Sequence, residues 1–401
     1  MNKYNAKINL TLIPIVIILS VIIAVIFPQL SLMKDLIIIV SIIYCFIIDR
    51  TFESKSFVYI FLYALAMIIF TVITGKINMM AIINIRFIFI YPLMIHVGRV
   101  LGKKNVNFDV VYKILNYYYA FLVVGAVLEF IAPEILRDIA ILINPEYQSE
   151  QLIRSGLGIG LGTWYGSRQM LAMDMCMAIV VLNKTCKNEY LKLIISLVYV
   201  FVIAMTLNRT GMISAIFLIL LIFIYRKKKY YKISKGKILL IYALICVLIL
   251  FTTLVENNFI IITIEKMVNS LGKIDLTMSG RTDIIKNYLQ SESLIFPKID
   301  AIGRSDYAIA NDTYGIGTTA DNSILRLVIS YGILFIIPYI IVCLRVIYGA
   351  LKSKDLFYIQ ILSLYFVAGI AFDLFHMVTV IIPIWMIIGY TLENERERRK
   401  T

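Results

Sequence analysis

Two short polar motifs in the last third of the chain have residue types suited to chemistry on a charged substrate. The first is Ser279-Gly280-Arg281-Thr282-Asp283, and the second is Ala320-Asp321-Asn322-Ser323, which directly precedes an apolar run over 324–348. Arg281 is a permanent cation, and Asp321 is a carboxylate. A charged loop with a glycine between two apolar runs is a place where chemistry can occur at a membrane surface. Function is therefore expected there.

Arginine, rather than lysine, dominates the segments that we expect in the membrane or on its outer side. These arginines are Arg86, Arg154, Arg168, Arg209, Arg281, Arg304 and Arg326. A guanidinium group binds two phosphate oxygens at once and keeps its proton, whereas an ammonium group acts as a point charge. A site for a diphosphate-linked lipid at the outer leaflet would select arginine for this reason.

Two of these arginines have informative surroundings. Arg86 lies inside an apolar run, where an unpaired charge costs about 2.5–3.5 kcal/mol on insertion scales. It must face water, a ligand, or an acid such as Glu129, and the sequence leaves these alternatives open. Arg209 lies in the turn Leu207-Asn208-Arg209-Thr210-Gly211 between two apolar runs, so we expect its backbone to be held by a hairpin. It either binds a lipid headgroup or snorkels to phospholipid phosphates.

The glycines between Arg154 and Arg168 do not form a nucleotide-binding motif. No β-strand pattern precedes Gly156, Gly158 or Gly160, and no βαβ pattern surrounds them. We interpret this segment as an outer loop that carries the two arginines toward the membrane.

The elements that position these residues are predicted from composition. The chain has 401 residues, of which 61% are apolar, and a mean hydropathy of +0.88. It is therefore predicted to be an all-α polytopic membrane protein with a single domain over 1–401 and about twelve spans. The predicted spans are 8–28, 31–48, 57–75, 79–97, 111–131, 169–183, 190–207, 211–225, 238–255, 323–348, 356–373 and 375–392. The first run is interpreted as a retained signal anchor.

Lysines and arginines alternate along the chain in a way that predicts topology. Placing the N-terminus and the C-terminus in the cytoplasm puts most of the net charge of +14 on the inner side, including the run Arg226-Lys227-Lys228-Lys229. The charge is thereby explained without nucleic acid. Two long loops, about 132–167 and 256–322, then lie on the extracytoplasmic side of the membrane, where we expect them to contain short amphipathic helices.

Cysteine and histidine give no sign of a metal or cofactor. The five cysteines are scattered without ligand spacing, and His96 and His376 are isolated. We predict no cofactor and no metal site, and we interpret both histidines as structural.

The order of the polar motifs carries a resemblance. Arg154-Ser155-Gly156 is followed by Thr206-Leu207-Asn208-Arg209-Thr210-Gly211, by Ser279-Gly280-Arg281, and by Asp321-Asn322-Ser323 leading into Tyr331-Gly332. This order resembles the O-antigen polymerase and ligase superfamily, and within it the capsular or O-antigen repeat-unit polymerases. The ligase branch typically has His-Asn where this chain has Asp321-Asn322, which favours a polymerase.

The resemblance implies a glycosyltransferase at the extracytoplasmic face of the cell membrane. Its donor and acceptor would be undecaprenyl-diphosphate-linked glycans, joined with inversion and without metal. Asp321 would act as the base, although an acid at this position is also expected as a helix cap. Arg281 would act in catalysis, and the diphosphate or glycan would be bound by Arg86, Arg154, Arg168, Arg209, Arg304 and Asn322.

Two alternatives remain beside the polymerase. One is an O-antigen-type ligase with the same reaction logic. The other is a flippase or transporter of lipid-linked oligosaccharides, which should place charges along several helices within the membrane and keep its outer loops short. Expected protein partners are a chain-length regulator and a flippase, and the expected surroundings are membrane lipid.

Overall fold

The computed structural model describes residues 3–49, 69, 86, 90–143, 167–206, 208–227, 337, 340–341, 344, 348, 355–371 and 377–398. Its helices are numbered here in chain order. They are α1 Lys3–Ile26, α2 Ser31–Ile48, α3 Met94–Lys103, α4 Asp109–Ile131, α5 Pro133–Ile143, α6 Arg168–Thr185, α7 Glu189–Met205, α8 Arg209–Lys227, α9 Leu356–Ala371 and α10 Val378–Arg398. A 3-10 turn, Pro28–Leu30, joins α1 to α2.

The all-α prediction is confirmed for the described residues, which contain no β-strand. Among the described residues, two helices, α2 and α4, are long and apolar enough to cross a membrane, and shorter apolar stretches occur in α1, α8, α9 and α10. The predicted spans 57–75, 238–255 and 323–348 lie largely or wholly outside the described residues. The count of about twelve spans therefore stays a prediction.

The surface of α2 and α4 has the pattern of a helix in lipid. Large apolar side chains are exposed along one stripe of each helix, and contiguous stripes of this length are unusual on a soluble monomer. On α2 they are Leu32, Leu36, Val40, Ile43 and Ile47, and on α4 they are Phe121, Val124, Leu128 and Ile131. Polar side chains such as Lys34, Asp174 and Gln360 are buried instead. This arrangement, with apolar side chains on the surface and polar side chains buried, indicates a membrane protein.

Helices α3 and α10 approach each other closely because glycine lies at their contact. A Cβ atom added at Gly98 would overlap the carbonyl oxygen of Met386, and one added at Gly389 would overlap that of Ile95. Gly98 and Gly102 are four residues apart, the spacing that lets helix backbones pack tightly in membranes. This contact joins segments that lie far apart in the chain.

Helices α2, α3 and α10 run in the same direction. Lys34, near the start of α2, bonds to Tyr91 ahead of α3, while Lys103 at the end of α3 pairs with Asp49 at the end of α2 over 3.1 Å. Arg99 of α3 pairs with Glu393 of α10 over 3.2 Å. We call the end of the bundle where these helices finish the Lys103 end.

Aromatic rings connect the Lys103 end to the remaining helices. Phe108 stacks on Tyr390 with ring centroids 4.1 Å apart, and the Tyr112 ring meets the Phe357 ring at 5.6 Å. The Lys184 ammonium lies 5.3 Å from the centroid of the Phe357 ring. The end of α6 and the start of α9 therefore also lie at the Lys103 end. The opposite end, where α6 and α8 begin, is called the Arg209 end.

One predicted span differs in detail from the structure, and one predicted loop contains a helix of the expected kind. The run over 79–97 is not a single α-helix: Tyr91 N–H donates to the Arg86 carbonyl oxygen with the spacing of a π-helix, a turn follows, and α3 begins at Met94. Pro92 explains the break, because it has no N–H for a helical hydrogen bond. In the predicted loop 132–167, α5 is a short helix with exposed apolar residues at Ile135, Ile139 and Leu142, as expected for an amphipathic helix. The loop 256–322 lies outside the described residues.

The glycine contact gives a test of the fold. Gly98→Ala and Gly389→Ala should each lower the free energy of unfolding by about 1–3 kcal/mol, because overlap with backbone outweighs the gain of about 0.5–1 kcal/mol that alanine brings to a helix. Gly102→Ala is the graded control, since its Cβ would lie 2.9 Å from the Tyr390 carbonyl oxygen and 3.1 Å from the Glu393 Cβ. Thermal unfolding in detergent measures the relative stability of the three variants. Equal stability of the three variants would contradict this packing.

Candidate functional site

The described residues include three of the eight site residues predicted from sequence. They are Arg86, Arg168 and Arg209, the last described by its backbone. The other five predicted site residues, Arg154, Arg281, Arg304, Asp321 and Asn322, lie outside the described residues. Their roles stay predictions.

Arg168 and Arg209 each occupy the first position of a capped helix. The Ser167 side chain accepts a hydrogen bond of 3.2 Å from Gln169 N–H at the start of α6. The Asn208 side chain accepts a hydrogen bond of 2.7 Å from Gly211 N–H at the start of α8. These caps satisfy backbone donors that a helix start leaves without a partner. The backbone of both arginines is thereby fixed.

The turn before α8 is held from both sides. The Thr206 hydroxyl donates to the Ile203 carbonyl oxygen over 2.6 Å and accepts from Asn208 N–H over 3.3 Å. Thr206 and Asn208 are buried. The expectation that a hairpin holds the backbone of Arg209 agrees with these hydrogen bonds.

Helices α6 and α8 pack side by side in the same direction. The Cys176 thiol donates to the Gly211 carbonyl oxygen over 3.4 Å, and a Cβ at Gly211 would lie 2.8 Å from the Cβ of Ala172. Toward their other ends, Gln360 of α9 accepts from Asn183 of α6 and donates to the Leu218 carbonyl oxygen of α8. The start of α8 therefore lies beside the first two turns of α6, and the backbones of Arg168 and Arg209 lie at the same end of the bundle.

This arrangement concentrates positive potential at the Arg209 end. The N-terminus of a helix has a partial positive charge, which disfavours a cation there and favours an anion. Arg168 is exposed at the first turn of α6. Two helix starts at the same end of the bundle that each begin with arginine are suited to bind a phosphate or diphosphate.

Arg86 belongs to a second group of charges at the same end. Its Nη1 bonds to Asp35 Oδ2 over 2.8 Å, so an acid, Asp35, does face it. Lys34 Nζ lies 3.0 Å from Asp35 Oδ1 and donates to the Tyr91 hydroxyl over 2.8 Å. The Tyr91 hydroxyl in turn donates to Asp35 Oδ1 over 3.1 Å. We call Lys34, Asp35, Arg86 and Tyr91 the Asp35 cluster.

A buried acid in α6 is not among the site residues predicted from sequence. Asp174 has no exposed surface, and its Oδ2 accepts hydrogen bonds from the Thr379 hydroxyl at 3.0 Å and the Tyr118 hydroxyl at 3.3 Å. The signal was present, since an acid within an apolar run marks a candidate functional site in a membrane protein. The same signal applies to Lys34 and Asp35, which lie in α2.

The described residues contain no group of three or more histidine, cysteine or acidic side chains that could hold a metal ion. His96 is buried and stacks on Phe46 with ring centroids 4.1 Å apart, in keeping with a structural role. His376 lies outside the described residues. The absence of a cofactor stays a prediction.

Comparison with known proteins does not assign the site. No protein-family model matches the chain, and no curated protein matches it.

The cap at Asn208 gives a test with a matched control at the other end of the bundle. Asn208→Ala should lower stability by about 0.5–2 kcal/mol and speed amide hydrogen exchange in the first turn of α8. Asn188 caps α7 in the same way, but it is exposed. Asn188→Ala should lower the free energy of unfolding by less, and it should speed amide hydrogen exchange only at the start of α7. Unchanged exchange in the Asn208 variant would show that this side chain does not fix the turn.

Proposed function

We propose that the protein is a membrane glycosyltransferase that polymerises undecaprenyl-diphosphate-linked repeat units into capsular or O-antigen polysaccharide. The observation that carries the proposal is the position of Arg168 and Arg209, each at the start of one of two packed helices, at the same end of the bundle. The sequence predicts both arginines as diphosphate ligands. A lipid diphosphate is an anion that fits such a site at a membrane surface.

The proposed reaction forms one glycosidic bond and breaks one bond to phosphate. The acceptor hydroxyl oxygen attacks the anomeric carbon of the donor from the face opposite the diphosphate, which inverts the configuration. Undecaprenyl diphosphate leaves with the bonding electrons, and the hydroxyl proton passes to Asp321. Preorganised cations stabilise the charge that develops on the leaving group. In this proposal Arg281 is at the reacting diphosphate, while Arg86, Arg154, Arg168, Arg209, Arg304 and Asn322 bind diphosphate or glycan.

The proposed orientation places the Arg209 end outside the cytoplasm. Lys103 ends α3 and Lys104 follows it at the Lys103 end, while Lys184 lies in the last turn of α6 and Lys187 just beyond it on the same side. Basic residues flanking apolar helices favour the cytoplasmic side. The N-terminus and C-terminus are then cytoplasmic, and the long loops over 132–167 and 256–322 face the substrate.

A transporter of lipid-linked oligosaccharide is the second candidate, and a specific observation favours it. Lys34 and Asp174 are buried charged residues within apolar helices, the kind of placement that we associated with a flippase. Both side chains bond to neighbouring helices or segments, which a structural role also explains. An O-antigen-type ligase shares the proposed chemistry and differs in its acceptor.

The glycan profile of a deletion strain separates the three candidates. Loss of a polymerase leaves single repeat units on the final acceptor. Loss of a ligase leaves long chains on the carrier lipid, and loss of a flippase leaves single lipid-linked units on the cytoplasmic side. Complementation of this strain with variants then tests individual residues.

Arg209→Lys should shorten the polymer sharply at a normal protein level, because lysine keeps the charge but loses the bidentate guanidinium. The same result is expected for Arg281→Lys. Arg226→Lys is the matched control, since Arg226 lies on the same helix as Arg209 near its opposite end. Polymer length in the complemented deletion strain is the measurement. If both Arg209→Lys and Arg281→Lys make polymer of wild-type length, these residues act only in topology or packing.

Asp321→Asn separates the base from the helix cap. Asparagine caps a helix about as well as aspartate, so the fold should survive, and the free energy of unfolding should fall by well under about 1 kcal/mol. An amide cannot take a proton from the acceptor hydroxyl at neutral pH. The variant should be folded, should retain lipid-linked donor, and should make little or no polymer. Normal polymer would mean that Asp321 is a cap, and Asp283, Asp306 and Asp312 would become the candidates for the base.

A further inference from the structure

Helix α5 presents an apolar face on the surface of the protein. Ile135, Ile139 and Leu142 follow one another at intervals of four and three residues, which places them on one side of an α-helix. All three are exposed, and Leu142 is 84% exposed. Leu136 of the same helix is buried, so α5 packs against the protein through a different side. The exposed apolar face is therefore not the face that attaches α5 to the bundle.

The acidic side chains of α5 lie beside this apolar face. Glu134 and Asp138 are exposed and four residues apart, so they share a side of the helix. At about 3.6 residues per turn, the two acids lie roughly 90° to one side of the apolar face, and the buried Leu136 lies roughly 90° to its other side. Helix α5 thus has a protein side, an apolar side and an acidic side, in that order around its axis. Such a helix is suited to the boundary between protein, lipid and water.

The length of α4 predicts the level at which α5 begins. Helix α4 has 23 residues, which at about 1.5 Å per residue span about 34 Å, slightly more than the hydrocarbon core of about 30 Å. It starts at the Lys103 end, near the contact of Tyr112 with Phe357, and finishes at the Arg209 end. A helix of this length that crosses a membrane ends at the membrane surface. Ala132 then leaves the helical conformation, with φ −140° and ψ 66°, and α5 starts at Pro133.

The exposed stripe of α4 leads directly to the exposed face of α5. The stripe ends at Ile131, which is 72% exposed, and Ile135 follows four residues later. With 11 residues, α5 is about 16 Å long, which is too short to cross the hydrocarbon core. A short amphipathic helix covers its apolar face with lipid by lying in the plane of the membrane interface. The lipid around the end of α4 is therefore the partner that this face fits.

We propose that α5 binds the membrane surface at the Arg209 end, with its apolar face among the lipid acyl chains and its acidic side toward water. The inserted side chains are Ile135, Ile139 and Leu142. The partner is the bilayer itself rather than a lipid with a particular headgroup, because Glu134 and Asp138 do not attract anionic lipids. Bound in this way, α5 holds the Arg209 end level with the membrane surface. Glycosyl transfer is not needed for this role.

Quenching of tryptophan fluorescence by brominated phospholipids tests the position of α5. Leu142→Trp and Ile139→Trp are made in the full-length protein and placed in bilayers, where tryptophan is well tolerated at the interface. Bromine near the glycerol end of the acyl chain should quench both variants more than bromine near the terminal methyl group, because an interfacial helix is shallow. The chain has two tryptophans, Trp164 and Trp385, and wild-type protein in the same bilayers gives their background.

Two further variants calibrate the depth. Phe121→Trp lies near the middle of α4 on its exposed stripe, so bromine near the terminal methyl group should quench it more strongly. Glu134→Trp lies on the acidic side of α5 and should be quenched little by either lipid. Melting temperature confirms that each variant is folded.

The absence of quenching in both Leu142→Trp and Ile139→Trp overturns the proposal. Blue-shifted emission without quenching would mean that another segment of the protein or a second copy of the chain covers the face, and red-shifted emission would mean that water does. The proposal is also overturned if both variants show the depth order of Phe121→Trp, because α5 would then lie inside the hydrocarbon core. These measurements do not involve the polymer, so the proposed function is tested separately.

Discussion

The described structure depends on one constraint: a polar group inside an apolar bundle must find its partner within the protein. Lipid offers no hydrogen bonds, and an unsatisfied group there costs several kcal/mol. Helix α6 shows the constraint most clearly, because every residue over 171–182 is buried and one of them is Asp174. The hydroxyls of Tyr118 and Thr379 meet this carboxylate and tie α4 and α10 to α6. Gln360 does the same between α6 and α8. Hydrogen bonds between buried polar groups thus determine which apolar helix surfaces pack together.

The same constraint produces the candidate site. Packing of Gly211 against Ala172 brings two helix starts to the same end of the bundle, and the caps at Ser167 and Asn208 fix the backbone there. The arginines that follow the caps are an addition that the fold does not require. A helix start favours an anion, so a fold optimised for stability alone would not place arginine at that position twice. This conflict between local stability and residue choice is typical of a functional site.

Much of the architecture follows from apolar periodicity, whereas the site depends on pairings that periodicity does not contain. The hairpin at Arg209 was predictable, because two apolar runs meet there with almost no loop between them. The break at Pro92 was also available from the sequence, since proline interrupts a helix. The Arg86–Asp35 pair was not, because its members are 51 residues apart and several acids were equally good candidates. Asp174 was predictable as a candidate site residue, because it is an acid within an apolar run. Its partners on α4 and α10 were not predictable from the sequence.

The glycine contact between α3 and α10 sets the order in which this chain can be assembled. Arg99 and Glu393, which pair across it, are separated by 294 residues. During synthesis α3 is made long before α10, so its glycine face lacks this partner until α10 has been made. The contact between α3 and α10 therefore closes only after the helices between them have been synthesised. A chain that stops before α10 would keep its other apolar helices but leave the glycine face of α3 without α10.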